Sequence, residues 1–168
     1  KKILALFLSV GLLVSGIGGG VASGATGDLL AKVYEPVAAS LSIGIAYDGQ
    51  NILYTHTGIN KVFFTDLAGT NLGFVDLKNA DLTPFTGDAP NAIAYNFIDG
   101  MLYAGGWDST NLYKIDLATG ITTLVKANAL AGYTSFNFID GLAWDPTDNT
   151  LWMSDDVADD VRHLDLLG

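Results

Sequence analysis

The chain has 168 residues, of which 49% are hydrophobic and 15% charged, so it is long enough to bury a core and too apolar to be disordered throughout. Its formal net charge of −10 at pH 7 argues against nucleic-acid binding, which needs a basic surface. It has no cysteine, which excludes disulfides, thiol nucleophiles and zinc–thiolate sites.

Residues 1–25 have the pattern of a secretory signal peptide. Lys1 and Lys2 precede the apolar run Ile3–Val14, and a stretch of small residues follows it. We therefore predict a cleaved hydrophobic signal helix and a secreted or periplasmic protein. A retained membrane anchor is the alternative, because Ile3–Ala25 is just long enough to span a bilayer.

From residue 41 onward the sequence repeats with a period of about 49 residues. The aromatic anchors Tyr47, Tyr95 and Trp144 are 48 and 49 residues apart, and a second aromatic residue follows each anchor after 7, 8 and 8 residues. An Asp-Leu pair comes 12 or 13 residues after that. After a linker at 26–40, the copies span 41–90, 91–138 and 139–168, and the last copy is incomplete.

Each copy consists of short apolar, β-branched and aromatic runs separated by turn residues. The clusters Asp48–Asn51, Asp99-Gly100 and Asp145–Asn149 are hairpin signals. Four short antiparallel strands in about 49 residues have the length and layout of a β-propeller blade. We predict an all-β domain of about three propeller-like blades, in which Ala46, Ala94 and Ala143 lie where the sheets approach closely.

Residues 65–84 also show a five-residue pattern, with Asp or Asn second and Leu third in each group of five. This pattern is typical of a pentapeptide-repeat β-helix, which we keep as the alternative fold. Neither later copy keeps the five-residue pattern, and one coil cannot bury an interior. We therefore predict that Asp66 is a turn residue and that Leu72–Leu77 is the outer strand of the first blade.

The third copy, residues 141–168, resembles a blade of the NHL, YWTD and gluconolactonase-like (senescence-marker) groups of six-bladed propellers. Leu151–Asp155 stands where the YWTD group has its signature. The resemblance to the gluconolactonase-like group implies that Asp155 is a ligand of a central divalent ion. The other copies have Thr57 and Gly106 at that place, and Asp140 stands where the group tends to have Asn, so the implied lactonase site is incomplete.

Three blades are too few to close a propeller, which has four to eight blades. We weigh three explanations. The chain is a fragment of a longer protein, or two chains form a six-bladed ring in which Leu29–Pro36 supplies an outer strand. In the third explanation the sheets form an open stack with exposed edges.

The acidic residues of the third copy are the candidate metal ligands. Carboxylates suit Ca²⁺, and Asp155, Asp156 and Asp140 are the residues that we name for it. Asp145 and Asp148 lie in the preceding turn, and a solvated acidic loop between two strands is the favoured explanation of the whole cluster. The two histidines, His56 and His163, are interpreted as ordinary strand residues.

Trp107 is the candidate ligand contact, because it does not recur between the copies and follows two glycines in a loop. The chain after the signal carries no known catalytic motif. We therefore expect a secreted or periplasmic binding or scaffold protein that recognises a small molecule, a glycan or a protein. The alternatives are a divalent-metal-dependent, lactonase-like hydrolase or lyase and a membrane-anchored or filament subunit.

Overall fold

The repeats fold into three antiparallel β-sheets, as the alternation of short apolar runs and turns predicts. The computed structural model describes residues 42–130, 139–154 and 161–166. Each apolar, β-branched or aromatic run forms a short strand, and turns rich in Asp, Asn and Gly connect the strands. The strands are β1 (Ser42–Tyr47), β2 (Ile52–His56), β3 (Lys61–Thr65), β4 (Asn71–Asp76), β5 (Pro90–Asn96), β6 (Met101–Gly106), β7 (Leu112–Ile115), β8 (Thr122–Lys126), β9 (Gly141–Asp145), β10 (Thr150–Ser154) and β11 (Val161–Asp165).

Strands that are neighbours in the sequence are also neighbours in each sheet. The first sheet has the order β1-β2-β3-β4, the second β5-β6-β7-β8 and the third β9-β10-β11. β1 lies against β5, and β5 lies against β9, so the sheets meet along their first strands. Four-stranded meanders arranged in this way are the units of a β-propeller. The fold is therefore all-β and propeller-like, and the predicted outer strand of the first sheet is β4.

Two apolar interfaces hold the sheets together, one on each face of the second sheet. Side chains alternate along β5, so that Ile93 packs against the first sheet while Ala92 and Ala94 pack against the third. The first interface contains Leu53, Val62, Leu77, Phe85, Ile93, Leu102, Ala104, Tyr113 and Ile115, and the second contains Ala92, Ala94, Tyr103, Leu112, Leu130, Ile139, Leu151 and Met153.

The prediction for the recurring alanines holds at two of the three positions. Ala94 is buried in the second interface and Ala46 packs against the first. Ala143, by contrast, is exposed. In the first and second sheets, the corresponding face packs against the next sheet. Among the described residues, no further sheet covers this face of the third sheet.

The structure also corrects the alignment of the first copy with the other two. Ala94 pairs with Tyr103 and Ala143 with Trp152, but their counterpart Ala46 pairs with Leu53 rather than with Tyr54. All three turns have four residues, but β5 and β9 continue one residue past Tyr95 and Trp144 whereas β1 ends at Tyr47, which shifts every later residue of β2 by one place. Because strand side chains alternate, this shift moves Tyr54 to the opposite face of its sheet.

Gly44 allows the first strands of two sheets to approach closely. Its backbone N–H donates to Thr55 Oγ1 (3.1 Å), and the Thr55 hydroxyl donates to the carbonyl oxygen of Asn91 (3.1 Å). A Cβ atom on Gly44 would lie 2.2 Å from that carbonyl oxygen. The position therefore requires glycine, although the equivalent position of the second sheet holds Ala92.

The predicted signal segment, residues 1–25, and the linker at 26–40 lie outside the described residues. Within the part of the chain that the structure describes, no helix has the length and hydrophobicity to cross a membrane.

We predict that Gly44→Ala destabilises the protein and that Gly141→Ala, at the same strand position of the third sheet, does so much less. The new Cβ at residue 44 meets a backbone carbonyl that cannot move alone, and such overpacking costs about 1–3 kcal/mol. At residue 141 the near atom is Ser154 Oγ, a side-chain atom that can rotate away. Urea unfolding measures both free energies, and equal losses would contradict the argument.

Candidate functional site

A groove opens beside the first sheet, where the chain leaves β4 and crosses toward β5. Its volume is about 490 Å³, which lies within the range of small-ligand sites. Apolar side chains form one part of the wall, and an amide, two ammonium groups and a carboxylate form the rest. The lining residues are Asn60, Lys61, Asp76, Leu77, Lys78, Leu82, Pro84 and Phe85.

The crossing segment is fixed to the second sheet by backbone hydrogen bonds. The N–H of Lys78 donates to the carbonyl of Gly120 (2.9 Å), and the N–H of Thr122 donates to the carbonyl of Lys78 (2.8 Å). On the other side, the N–H of Leu77 donates to the carbonyl of Asn60 (3.0 Å). The floor of the groove is therefore held from both sheets.

Lys61 and Lys78 give the groove a local positive charge in an acidic chain. Lys61 Nζ lies 2.9 Å from Asp76 Oδ1 and 3.5 Å above the centre of the Phe74 ring. This ion pair is partly exposed, so it orients the ammonium group more than it stabilises the fold. The charge of Lys61 is balanced by Asp76, and Lys78 adds a second ammonium group to the wall.

Asn60 offers a hydrogen-bond acceptor in the wall of the groove. Its Nδ2 donates to the carbonyl of Phe85 (3.0 Å), which orients the amide. Its Oδ1 is buried and has no hydrogen-bond partner among the described residues. Leaving such an acceptor unpaired costs about 1–3 kcal/mol, and because the atom is out of contact with solvent, this cost belongs to the wall itself rather than to the open groove.

Leu82 adopts a conformation that leucine normally avoids. Its φ is +67°, in the left-handed region that favours glycine and asparagine, and its side chain is 65% exposed in the groove wall. The turn is closed by its N–H, which donates to the carbonyl of Asn79 (2.9 Å). A glycine would make the same turn without strain, so packing in the fold does not explain the leucine.

The residues predicted from the sequence lie elsewhere. Trp107 is half-buried after β6, and its backbone N–H donates to the carbonyl of Ala89 (2.9 Å). Asp140 is exposed just before β9, where its Oδ1 is 3.4 Å from Asn91 Nδ2. The other two predicted metal ligands, Asp155 and Asp156, lie outside the described residues. Neither Trp107 nor Asp140 lines the groove, and the Ca²⁺ site that includes Asp140 stays a prediction.

The recurring aspartates of the turns act on their own backbone. Asp66 Oδ1 accepts hydrogen bonds from the N–H groups of Ala68 (2.9 Å) and Thr70 (2.7 Å), so Asp66 is the turn residue that its pattern predicts. Asp116 likewise accepts hydrogen bonds from the hydroxyl of Thr119 (2.8 Å) and from the N–H of Ala118 (2.9 Å). These hydrogen bonds favour the ionised carboxylates and lower the pKa values of both residues.

In the third sheet, the Asp145 carboxylate also accepts hydrogen bonds from its own turn. Its Oδ1 accepts from the N–H (2.9 Å) and the hydroxyl (2.5 Å) of Thr147, and its Oδ2 accepts from Trp152 Nε1 (3.1 Å). Together these donors lower the pKa of Asp145 from its usual 3.8 to about 2.

Comparison with known proteins supports the fold. No protein-family model matches the sequence, and no curated protein matches it significantly. The glutaminyl cyclase of Myxococcus xanthus is similar in structure, with a TM-score of 0.54 and 18% identity over 77% of this chain and 75% of that chain. A protein of unknown function from Bacteroides caccae has a TM-score of 0.46 and 11% identity, over 80% of this chain and 46% of that one. The likeness to the glutaminyl cyclase, at 18% identity, shows the β-rich, propeller-like fold alone.

Sequence reasoning did not find the groove, and only one signal pointed toward it. Residues 77–89, at the end of the first copy, lie after its outer strand and outside the blade pattern, and such irregular connections often carry function. The left-handed conformation of Leu82 depends on the geometry of the turn, which the amino-acid sequence alone does not reveal.

We predict that Asp145→Asn flattens the acid dependence of stability. Because the folded protein holds the pKa of Asp145 near 2, its ionised form stabilises the fold above pH 3.8, and this contribution disappears as the pH falls toward 2. The urea midpoints of wild type and variant, measured at pH 6, 4 and 2.5, should therefore converge at the lowest pH. Thr147→Val removes one donor and should move the acid transition to higher pH. Parallel midpoint curves for wild type and Asp145→Asn would refute the assignment.

Proposed function

We propose that the protein is a secreted or periplasmic propeller-like binding protein whose ligand occupies the groove beside the first sheet. The observation that carries the proposal is Leu82, an exposed leucine held in a left-handed conformation in the groove wall. Conformational strain of this kind persists where function requires a particular side chain. The predicted signal segment supports the location, and the resemblance to the named propeller groups is compatible with a binding role.

The wall residues define the ligand by its chemistry. Because Asp76 balances Lys61, Lys78 supplies the net positive charge of the wall, and this charge favours an anionic group in a chain whose net charge is −10. Leu77, Leu82 and Phe85 favour an apolar body of modest size.

Binding fits the groove better than catalysis does. The one carboxylate in the wall, Asp76, is ion-paired with Lys61 and partly exposed, so its surroundings do not make it an effective general base. The eight lining residues include no serine, threonine or histidine that could act as a nucleophile or proton carrier. The groove therefore supports recognition of a small molecule without chemical conversion.

The test uses 8-anilino-1-naphthalenesulfonate, which carries one sulfonate, two apolar ring systems and one N–H donor. We predict that Leu82→Gly weakens dye binding by roughly fivefold, since covering the leucine side chain contributes about 1 kcal/mol. The same variant should unfold at higher urea concentration, because glycine relieves a strain of about 1 kcal/mol. Fluorescence titration and urea unfolding measure the two effects.

Leu67→Ala is the matched control, because Leu67 is also a strongly exposed turn leucine but lies outside the groove. It should leave the dye affinity unchanged, while Lys78→Gln should lower it. The proposal fails if Leu82→Gly binds the dye as tightly as wild type, or if Leu67→Ala weakens binding equally.

A further inference from the structure

We propose that Asp145, Asp148 and His163 form a binding site for a first-row transition-metal ion on the third sheet, with Zn²⁺ as its natural probe. The site is separate from the groove beside the first sheet. Each of the three residues offers one ligand atom, and these atoms lie within 4.8 Å of one another. His163 Nε2 and Asp148 Oδ2 are 3.5 Å apart.

Strand register brings these residues together. His163 on β11 pairs with Trp152 on β10, which places the imidazole on the same face as the indole. Asp145 ends β9 and pairs with Thr150, and Asp148 lies in the turn between β9 and β10. The three ligands therefore come from one hairpin and the strand beside it, a framework of paired backbone.

Neighbouring side chains hold the ligands in position. The rings of Trp152 and His163 stack with centres 4.2 Å apart and planes 6° from parallel. Trp152 Nε1 also donates to Asp145 Oδ2 (3.1 Å), so one indole orients two ligands. The Thr150 hydroxyl contacts His163 Nε2, a contact that a metal ion bound to that nitrogen would replace. The same hydroxyl donates to Asp148 Oδ1 (2.5 Å). Outer contacts of this kind orient the ligands of metal sites.

The other two sheets lack this combination at the same positions. The strand position of His163 holds Phe64 in the first sheet and Lys114 in the second. The second sheet has Asp99 where the third has Asp148, and there the carboxylate accepts a hydrogen bond from the Tyr103 hydroxyl (2.9 Å). The repeat therefore accounts for the turn carboxylate but not for the imidazole beside it.

The site is open to solvent, which a metal ion needs in order to enter. Tyr103 is 4% exposed because the third sheet covers it, whereas Trp152 at the same position of the third sheet is 40% exposed. The side chains of His163 and Asp148 are 39% and 49% exposed. The net charge of −10 also raises the local concentration of cations.

The donor set selects the class of metal. One imidazole nitrogen and two carboxylate oxygens match Zn²⁺ and its first-row neighbours, and three protein ligands leave one position for water. Ca²⁺ prefers six to eight oxygen ligands and gains nothing from the imidazole. This site therefore differs in residues and in metal from the Ca²⁺ site predicted at Asp140, Asp155 and Asp156.

The experiment is a calorimetric titration of the full chain, freed of metal, with Zn²⁺. We expect one ion per chain, and we expect His163→Gln and Asp148→Asn each to weaken binding at least tenfold, because even an outer-contact substitution costs 10–100-fold. Nitrogen NMR of the imidazoles should show a large Zn²⁺-dependent shift at His163 Nε2. A hundredfold excess of Ca²⁺ should not displace the ion.

Asp99→Asn is the matched control, since it removes the same charge from the equivalent turn of the second sheet, where Lys114 replaces the imidazole. It should bind Zn²⁺ as wild type does. Near-UV circular dichroism checks that each variant keeps its fold. The inference is overturned if His163→Gln binds Zn²⁺ with unchanged affinity, if Asp99→Asn weakens binding as much as Asp148→Asn, or if Ca²⁺ displaces the ion.

Discussion

The arrangement of the three sheets depends on a buried series of hydrogen bonds that runs from sheet to sheet beside the first strands. The backbone of Gly44 donates to Thr55, the Thr55 hydroxyl donates to the carbonyl of Asn91, and the Asn91 amide donates to the carbonyl of Ile139. Thr55 and Asn91 are 0% and 4% exposed, so a sheet that slid along its neighbour would leave polar groups unpaired at about 1–3 kcal/mol each. Apolar burial is non-directional and cannot set this register alone. The polar series sets it, and glycine at position 44 permits the short distance that the series needs.

The groove follows from this close approach. Since the first strands of two sheets lie against each other, the chain that leaves β4 at the outer edge must return to the inner strand β5 across the space between the sheets. Residues 77–89 make that crossing, and the backbone of Lys78 binds the second sheet on the way. A groove thus arises at a joint between repeats, where no repeated side chain is needed for packing.

Much of the fold could be predicted from the sequence, because the repeat landmarks are packing positions. Tyr95, Trp144 and Leu151 recur since each sheet must bury the same face against its predecessor. The shifted register of β2 could not be predicted, because it depends on β1 ending one residue earlier than β5 and β9 do, and no local pattern marks that point. The candidate sites were harder still. From the sequence alone His163 has the pattern of an ordinary strand residue, since only the pairing of β10 with β11 shows that its ring lies beside Asp145 and Asp148.

Because the sheets repeat, equivalent positions can be compared within this one protein, and the comparison separates residues needed for the fold from residues that serve a function. A residue that recurs is explained by packing or by a turn, as Asp66 and Asp116 are. A residue that does not recur remains to be explained, but non-recurrence alone is weak evidence, since Trp107 also fails to recur and is half-buried in a pinned loop. Leu82 and His163 do not recur, and each also has a feature that packing does not require. Leu82 carries backbone strain that glycine would remove. His163 stands beside two carboxylates on an open face, whereas the equivalent face of the first and second sheets is covered by the next sheet. In a fold built from repeated units, a residue that does not recur points to function when it carries conformational strain or when it lies beside other side chains that can bind a metal ion.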